Sequence, residues 1–196
     1  LHATEDGISP LARAGLAHVQ FETIHPFLDG NGRLGRLLIV LMLCDAGLLD
    51  EPSLYLSLYF KSRREEYYQR LDAVRTQGDW EGWLRFFFDG VAATSGQAVD
   101  TAQRLLQLFQ NDREQLRAAG RIAGTTLQLH ETFTRNPLRT IPKLVSELGL
   151  SKPAVGRGLD AMRKRGIIRE ITGKQRYMIF AYQPYLDILS EGAQPL

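Results

Sequence analysis

Apolar residues recur at helical spacing through most of the chain, punctuated by glycine, proline and small polar residues. Ser9-Pro10 marks the first helix start, with Ser9 as N-cap and Pro10 at the first helical position. That helix is expected to run to about Ile24, with Leu11, Ala14, Val19 and Phe21 as apolar positions and Pro26 as its stop. A polar, glycine-rich loop, Leu28-Asp29-Gly30-Asn31-Gly32, follows. The next helix is expected from near Arg33 to Asp45, ending at Gly47. Being apolar nearly all round, it is expected at the centre of a helical domain. A further helix spans about Ser57 to Arg75. Asp79 caps the next, which carries Trp80, Trp83, Phe86, Phe87 and Phe88, an aromatic run expected to pack on the central helix. Ala98, Ala102, Leu105, Leu106, Phe109 and Leu116 mark a linker helix over about 98–118, ended by Gly120.

Beyond residues 120–125 the pattern shortens. Leu127 to Phe133 and Ile141 to Leu148 read as short helices. Gly149 turns the chain, Ser151 caps a third helix from Lys152 to about Arg165, and Gly166 ends it. The apolar-polar alternation over 167–171 and 176–180, around Thr172-Gly173-Lys174, predicts a β-hairpin. Three helices and a hairpin make a winged helix-turn-helix.

The longest strictly apolar stretch, Leu37 to Cys44, is far short of the roughly 20 residues that span a bilayer. Leu1 to Gly7 is polar and acidic, unlike a signal peptide. Leu1 in place of Met suggests a processed or truncated product. The single cysteine, Cys44, is expected as a small buried hydrophobe in a reducing, cytoplasmic setting. Net charge is only +2, but it is unevenly spread. Leu138 to Arg176 holds ten basic and three acidic residues, leaving 14 basic and 19 acidic for the rest of the chain's 24 and 22. That asymmetry suggests two modules with different partners.

The chemistry is concentrated in His25-Pro-Phe-Leu-Asp-Gly-Asn-Gly-Arg-Leu-Gly-Arg36. Gly30, Asn31 and Gly32 can turn successive backbone N–H groups toward one point, because glycine tolerates the torsions required. The loop opens into a helix N-terminus, where unpaired N–H groups and the dipole favour an anion. Arg33 and Arg36 share the first turn, although cations are unfavourable there by a few tenths of a kcal/mol. Two guanidiniums beside a nest suit more than one phosphate. Asp29 at the mouth would repel phosphates unless a Mg²⁺ ion bridged them, and one carboxylate with phosphate oxygens and waters is an ordinary Mg²⁺ sphere. His25, at the other end of the loop, is placed to take a proton from a hydroxyl. These are the parts of a phosphoryl or nucleotidyl transfer site.

The same string resembles the complete signature of the Fic (filamentation induced by cAMP) family. The likeness extends over about Ser9 to Val91, including Phe21-Glu22-Thr23-Ile24 before the motif and Gly78-Asp79-Trp80 after it. The trailing segment resembles the C-terminal part of multi-domain bacterial Fic proteins. The resemblance implies a mainly α protein: an incomplete Fic core over 1–95, a helical linker over 96–124 and a winged helix-turn-helix over 125–185. It also implies transfer of AMP from ATP to a Ser, Thr or Tyr hydroxyl of a target protein. His25 would be the base and Asp29 would hold Mg²⁺ on the α- and β-phosphates. Gly30, Asn31 and Gly32 would form the anion nest, with Asn31 near the α-phosphate. Arg33 would grip the β-phosphate, Arg36 the γ-phosphate, and Tyr67 would lie by the nucleoside or pack in the core. Related kinases of the Doc type carry Lys where this chain has Gly32, which favours AMP transfer over phosphorylation.

The chain departs from the family in what precedes the motif. Only 24 residues stand before His25, without the β-hairpin flap, and no inhibitory Ser/Thr-x-x-x-Glu-Gly/Asn string is present. Its N-terminal part is therefore expected to be missing. His18 is expected to be a packing residue, and His2 and His130 have no evident chemical context. Lys152, Arg157, Arg163, Lys164 and Arg165, with Arg169, Lys174 and Arg176 on the wing, offer a surface for DNA phosphates. Ala154, Val155, Gly156 and Gly158 offer little for base reading. Such modules also dimerise or dock proteins. A nucleotide-sensing DNA-binding regulator is the alternative function.

Overall fold

The structure is a computed structural model that describes residues 7–50, 55–174 and 176–191, so His2 lies outside the described residues. The chain divides into two compact units with the boundary between Val99 and Asp100.

The first unit holds α1 (Pro10–Ile24), α2 (Asn31–Asp45), α3 (Leu56–Ser62), α4 (Arg64–Gln77) and the first part of α5 (Trp80–Arg117). Ser9 caps α1 by accepting from the Ala12 N–H at 3.2 Å, with Pro10 entering the helix as expected. The predicted helix over 57–75 is two helices, broken at Arg63. There the Ser62 hydroxyl donates to the Tyr59 carbonyl that the Arg63 N–H also uses, a local competition of the kind that bends helices. Asp79 caps α5 through the Gly82 N–H at 2.9 Å. A Cβ on Gly82 would fall 2.2 Å from Asp79 Oδ2, so a larger residue there would shift the capping carboxylate. The two helices expected over 79–118 are one.

The centre of this unit is aromatic, which corrects the expectation for α2. Trp83 and Phe87 are wholly buried, Phe86 nearly so, and they meet Phe60, Tyr59 and Tyr67. Phe87 lies against Gly15, where a Cβ would fall 2.8 Å from its ring. Meanwhile α2 buries Gly35, Ile39 and Leu43 but exposes Leu34, Leu37 and Leu41 by 40%, 49% and 55%. Apolar residues all round a helix do not require burial all round, because an aromatic cluster of this size supplies a core by itself. Cys44 is only half-buried.

His18 sits inside this cluster, fully buried, with Nε2 2.8 Å from the Tyr67 hydroxyl and its ring stacked against those of Phe60 and Trp83. Burial pushes its pKa down from 6.5 to about 4. The folded state therefore keeps His18 neutral where the unfolded chain protonates it. Stability present above pH 6.5 is lost as pH falls through that window toward 4. Thermal unfolding followed against pH should show this loss, on the order of 3 kcal/mol when complete. His18→Gln should flatten the slope, and an unchanged slope would remove His18 as its source.

The second unit holds the rest of α5, a short 3-10 turn (Gly120–Ile122), α6 (Ala123–Arg135), β1 (Leu138–Thr140), α7 (Ile141–Leu148), α8 (Lys152–Lys164), β2 (Arg169–Glu170), β3 (Ile179–Ala181) and α9 (Gln183–Ser190). The sheet order is β1-β3-β2, antiparallel throughout, with Leu138 opposite Ala181 and Arg169 also opposite Ala181. The hairpin strands are shorter than predicted, and β1 and α9 were not predicted. Leu129, Phe133, Leu144, Val155, Leu159, Met162, Ile167 and Ile168 form the core. Gly158 faces this core: a Cβ there would meet Leu129 Cδ1 at 2.4 Å, so α6 and α8 approach closely. His130, without evident context in the sequence, is buried beside Tyr182, whose hydroxyl donates to Asp112. Arg139 is also buried, donating from Nε and Nη2 to the Thr132 carbonyl at 3.1 and 2.7 Å and from Nη1 to Glu147 at 3.0 Å.

Candidate functional site

The site grows from the end of α1. His25 is its C-cap, in the left-handed region at φ 49°, ψ 58°, with its N–H donating to the Phe21 carbonyl at 2.9 Å. A residue before proline disfavours helical torsions, and a non-glycine residue at positive φ carries strain of about 1–3 kcal/mol. That backbone leaves the His25 imidazole exposed at the edge of the loop.

Asn31 fixes the loop. Its Nδ2 donates to the Phe27 carbonyl at 2.6 Å and its Oδ1 accepts from the Phe27 N–H at 3.0 Å. The side chain is buried, so its amide is committed to the loop and only its backbone N–H is left to the nest. Gly30 follows the same logic from the backbone: φ 83° makes it the N-cap of α2, without side-chain capping. What this loop offers an anion is main-chain N–H groups at a helix N-terminus.

Both motif arginines arch back over these glycines. A Cβ on Gly30 would lie 3.5 Å from Arg33 Nη2, and one on Gly32 would lie 3.2 Å from Arg36 Nη1. Arg33 is exposed, whereas Arg36 is half-buried with its Nε shielded from solvent. Asp29 is exposed; its Oδ1 accepts from the Gly30 N–H at 2.6 Å and its Oδ2 lies 3.6 Å from Arg33. Among the described residues no group of three or more His, Cys, Asp or Glu side chains is arranged to hold a metal.

Tyr67 is buried, and its hydroxyl has a side-chain hydrogen bond with Arg36. It is 4% exposed, stacked on Phe60 with centroids 4.9 Å apart and bonded to His18. Burial drives its hydroxyl pKa upward. Its packing alternative accounts for this position. The residue that sequence reasoning passed over is Glu22. Its carboxylate lies beneath the first turn of α2, where a Cβ on Gly35 would fall 2.6 Å from Oε1. Burial raises its pKa, with Arg36 and then His25 opposing. Its signal was position: Glu22 is one turn before His25, on the same side of α1.

Residues 1–43 match the model of the Fic/DOC family. Similar curated proteins are the protein adenylyltransferase Fic of Drosophila grimshawi, 33% identical over 113 residues (56% of this chain, 22% of that protein), and that of Drosophila virilis, 33% identical over 134 residues (64% and 26%). The likeness to the Fic family is thus carried by the stretch that holds the loop. The chain spans about a quarter of the length of these two Fic adenylyltransferases. Among solved structures, a Fic family protein from Desulfovibrio desulfuricans G20 is similar at TM-score 0.47 and 24% identity, covering 91% of this chain and 50% of that one. The Fic family match covers α1, the loop and most of α2, the elements that position His25, Asp29, Gly30, Asn31, Gly32, Arg33 and Arg36.

Proposed function

We propose that this chain carries the nucleotide-binding and transfer centre of a protein adenylyltransferase, moving AMP from ATP to a hydroxyl side chain of a target protein. The carrying observation is the pair of guanidiniums folded over Gly30 and Gly32 at the N-terminus of α2. The Fic match and relatives named adenylyltransferase support it. In this reading the N–H groups of Asn31 and Gly32 hold the α-phosphate, joined by that of Gly30 once Asp29 Oδ1 turns from it to Mg²⁺; Arg33 takes the β-phosphate and Arg36 the γ-phosphate. His25 removes the proton from the attacking hydroxyl as its oxygen bonds to the α-phosphorus. The bond from that phosphorus to the bridging oxygen breaks, and pyrophosphate leaves with the electron pair. Charge builds on the leaving pyrophosphate, where two arginines stabilise it.

Mg²⁺ belongs to the same reading. Asp29 is an exposed carboxylate at the nest mouth, a donor suited to an ion that arrives with phosphate oxygens and keeps its waters. The ion would supply charge neutralisation at the phosphates. A cytoplasmic setting also belongs here, supported by the single unpaired Cys44. Among the described residues, no helix is long and apolar enough to cross a membrane.

The reaction is tested by offering Mg-ATP labelled at the α or the γ position together with a mixture of candidate protein targets. Label from the α position alone supports AMP transfer. Label from γ alone replaces it with kinase chemistry.

A second reading concerns the other unit, and a specific charge arrangement favours it. The three acidic residues of the basic stretch are all engaged internally. Glu147 pairs with buried Arg139, Asp160 with Arg163, and Glu170 accepts from the N–H groups of Thr172 and Gly173. Exposed Lys152, Arg157 and Lys164 on α8, with Arg169, Lys174 and Arg176 on the hairpin, have no carboxylate within ion-pair distance among the described residues. We propose that this face contacts duplex DNA, α8 lying in the major groove with the hairpin beside it as the wing of a winged helix. Six phosphate contacts predict that affinity falls by about a thousandfold from roughly 50 to 200 mM salt. A flat response would reassign the module to dimerisation or to docking another protein, which sedimentation would separate.

A further inference from the structure

Two half-buried side chains of opposite charge lie behind the nest, and the Arg36 guanidinium already has a hydrogen bond with the Tyr67 hydroxyl. Glu22 Oε1 and Arg36 Nε are both shielded from solvent, and neither makes a hydrogen bond. They are neighbours all the same. A point one Cβ bond from Gly32 is 3.2 Å from Arg36 Nη1 and 3.8 Å from Glu22 Oε1. Gly35 leaves room for that carboxylate, since a Cβ there would fall 2.6 Å from Oε1 and displace it. The titratable and charged groups around Glu22 are His25 and His18 from α1, Arg36 from α2 and Tyr67 from α4. Arg36 is the only fixed positive charge in that set.

A carboxylate oxygen shielded from solvent without a hydrogen bond costs stability. Its position relative to the guanidinium does give it a use. An arginine side chain has several rotatable bonds, so one aimed at a phosphate needs a second anchor to lose less freedom on binding. Glu22 is a carboxylate that the structure places beside the Arg36 guanidinium, next to Gly32.

We propose that Glu22 is the positioning residue for Arg36, a carboxylate that holds the guanidinium over Gly32 and directs it at the terminal phosphate of a nucleoside triphosphate. This rests on the nucleotide-binding reading of the nest, and it adds a residue outside the motif string. Glu22 acts through Arg36 and touches no substrate. Its effect should therefore discriminate between ligands with and without a third phosphate.

The test is equilibrium binding of Mg-ATP and Mg-ADP to the wild-type chain and to Glu22→Gln, Glu22→Asp and Arg36→Ala, each checked by thermal unfolding. Glu22→Gln should weaken Mg-ATP about tenfold while Mg-ADP stays within about twofold. Glu22→Asp should restore part of the loss and serves as the working variant if the glutamine form does not fold. Adding Glu22→Gln to Arg36→Ala should cost nothing further, because the two act as one unit. Equal weakening of both nucleotides would mean a general structural role and overturn the proposal. So would unchanged Mg-ATP affinity in Glu22→Gln beside a large loss in Arg36→Ala, which leaves the nest reading intact. Tighter Mg-ATP binding in Glu22→Gln would make Glu22 a competitor for Arg36, again overturning it. A wild-type chain that binds neither nucleotide removes the nest reading and the proposal together.

Discussion

His25→Ala is expected to reduce AMP transfer by a factor of about 10²–10⁴, the usual worth of a positioned general base, with Mg-ATP affinity nearly unchanged. The expectation follows from the division of labour in the loop. In the proposed reading the phosphates meet backbone N–H groups of the Gly30–Gly32 loop and two arginines, none of which depends on the imidazole. His25 is instead the C-cap of α1, held at positive φ by its N–H bond to Phe21 and by Pro26 after it. Alanine at a left-handed position adds strain but removes no hydrogen bond of the loop, since the cap uses only the backbone. A steady-state comparison separates the effects: kcat falls while the nucleotide KM stays close to wild type. A large rise in KM with kcat preserved would place His25 in binding and deny it the proton transfer.

The largest stability effect is expected at Trp83. Trp83→Ala should destabilise the first unit by about 3–5 kcal/mol, read as a lowered urea midpoint. The indole is wholly buried, its Nε1–H donates to the Gly15 carbonyl at 2.9 Å, and its ring meets those of His18, Phe60, Tyr67, Phe86 and Phe87. Trp83→Phe retains most of the apolar area but leaves the Gly15 carbonyl without its donor. Its cost should be smaller, about 1–3 kcal/mol for the unsatisfied group and the altered packing. The effect should also reach the site, because His18 and Tyr67 line both the aromatic cluster and the pocket of charge around Arg36 and Glu22. A Trp83→Ala variant as stable as wild type would contradict the assignment of the core.

Local signals were legible in the sequence, and long-range ones were not. Ser9-Pro10, Asp79, Gly149 and Ser151 announced their helix ends because capping is a contest between neighbouring groups. The break at Arg63 escaped because neither glycine nor proline marks it. Strand β1 escaped because three residues carry no period, and its place is set by pairing with Ile179 to Ala181, some forty residues later. The exposure of Leu34, Leu37 and Leu41 escaped because hydrophobicity reports what a side chain favours and leaves open what the rest of the unit can cover. In the site, the loop geometry followed from Gly30 and Gly32. Two assignments needed coordinates. The Asn31 amide is committed to Phe27, and Tyr67 is taken by His18. Glu22 was visible as part of the string before the motif, but a carboxylate on a helix reads as solvated until Gly35 is seen to sit against it.

The most direct test of the account is an Mg-ATP titration followed by backbone amide resonances, which requires no target protein. The account predicts saturable shifts of the Gly30, Asn31 and Gly32 amides and of the Arg33 and Arg36 side chains, with α8 and the hairpin unaffected. Shifts confined to the basic face of the second unit, or none at the Gly30–Gly32 loop at saturating nucleotide, would contradict it.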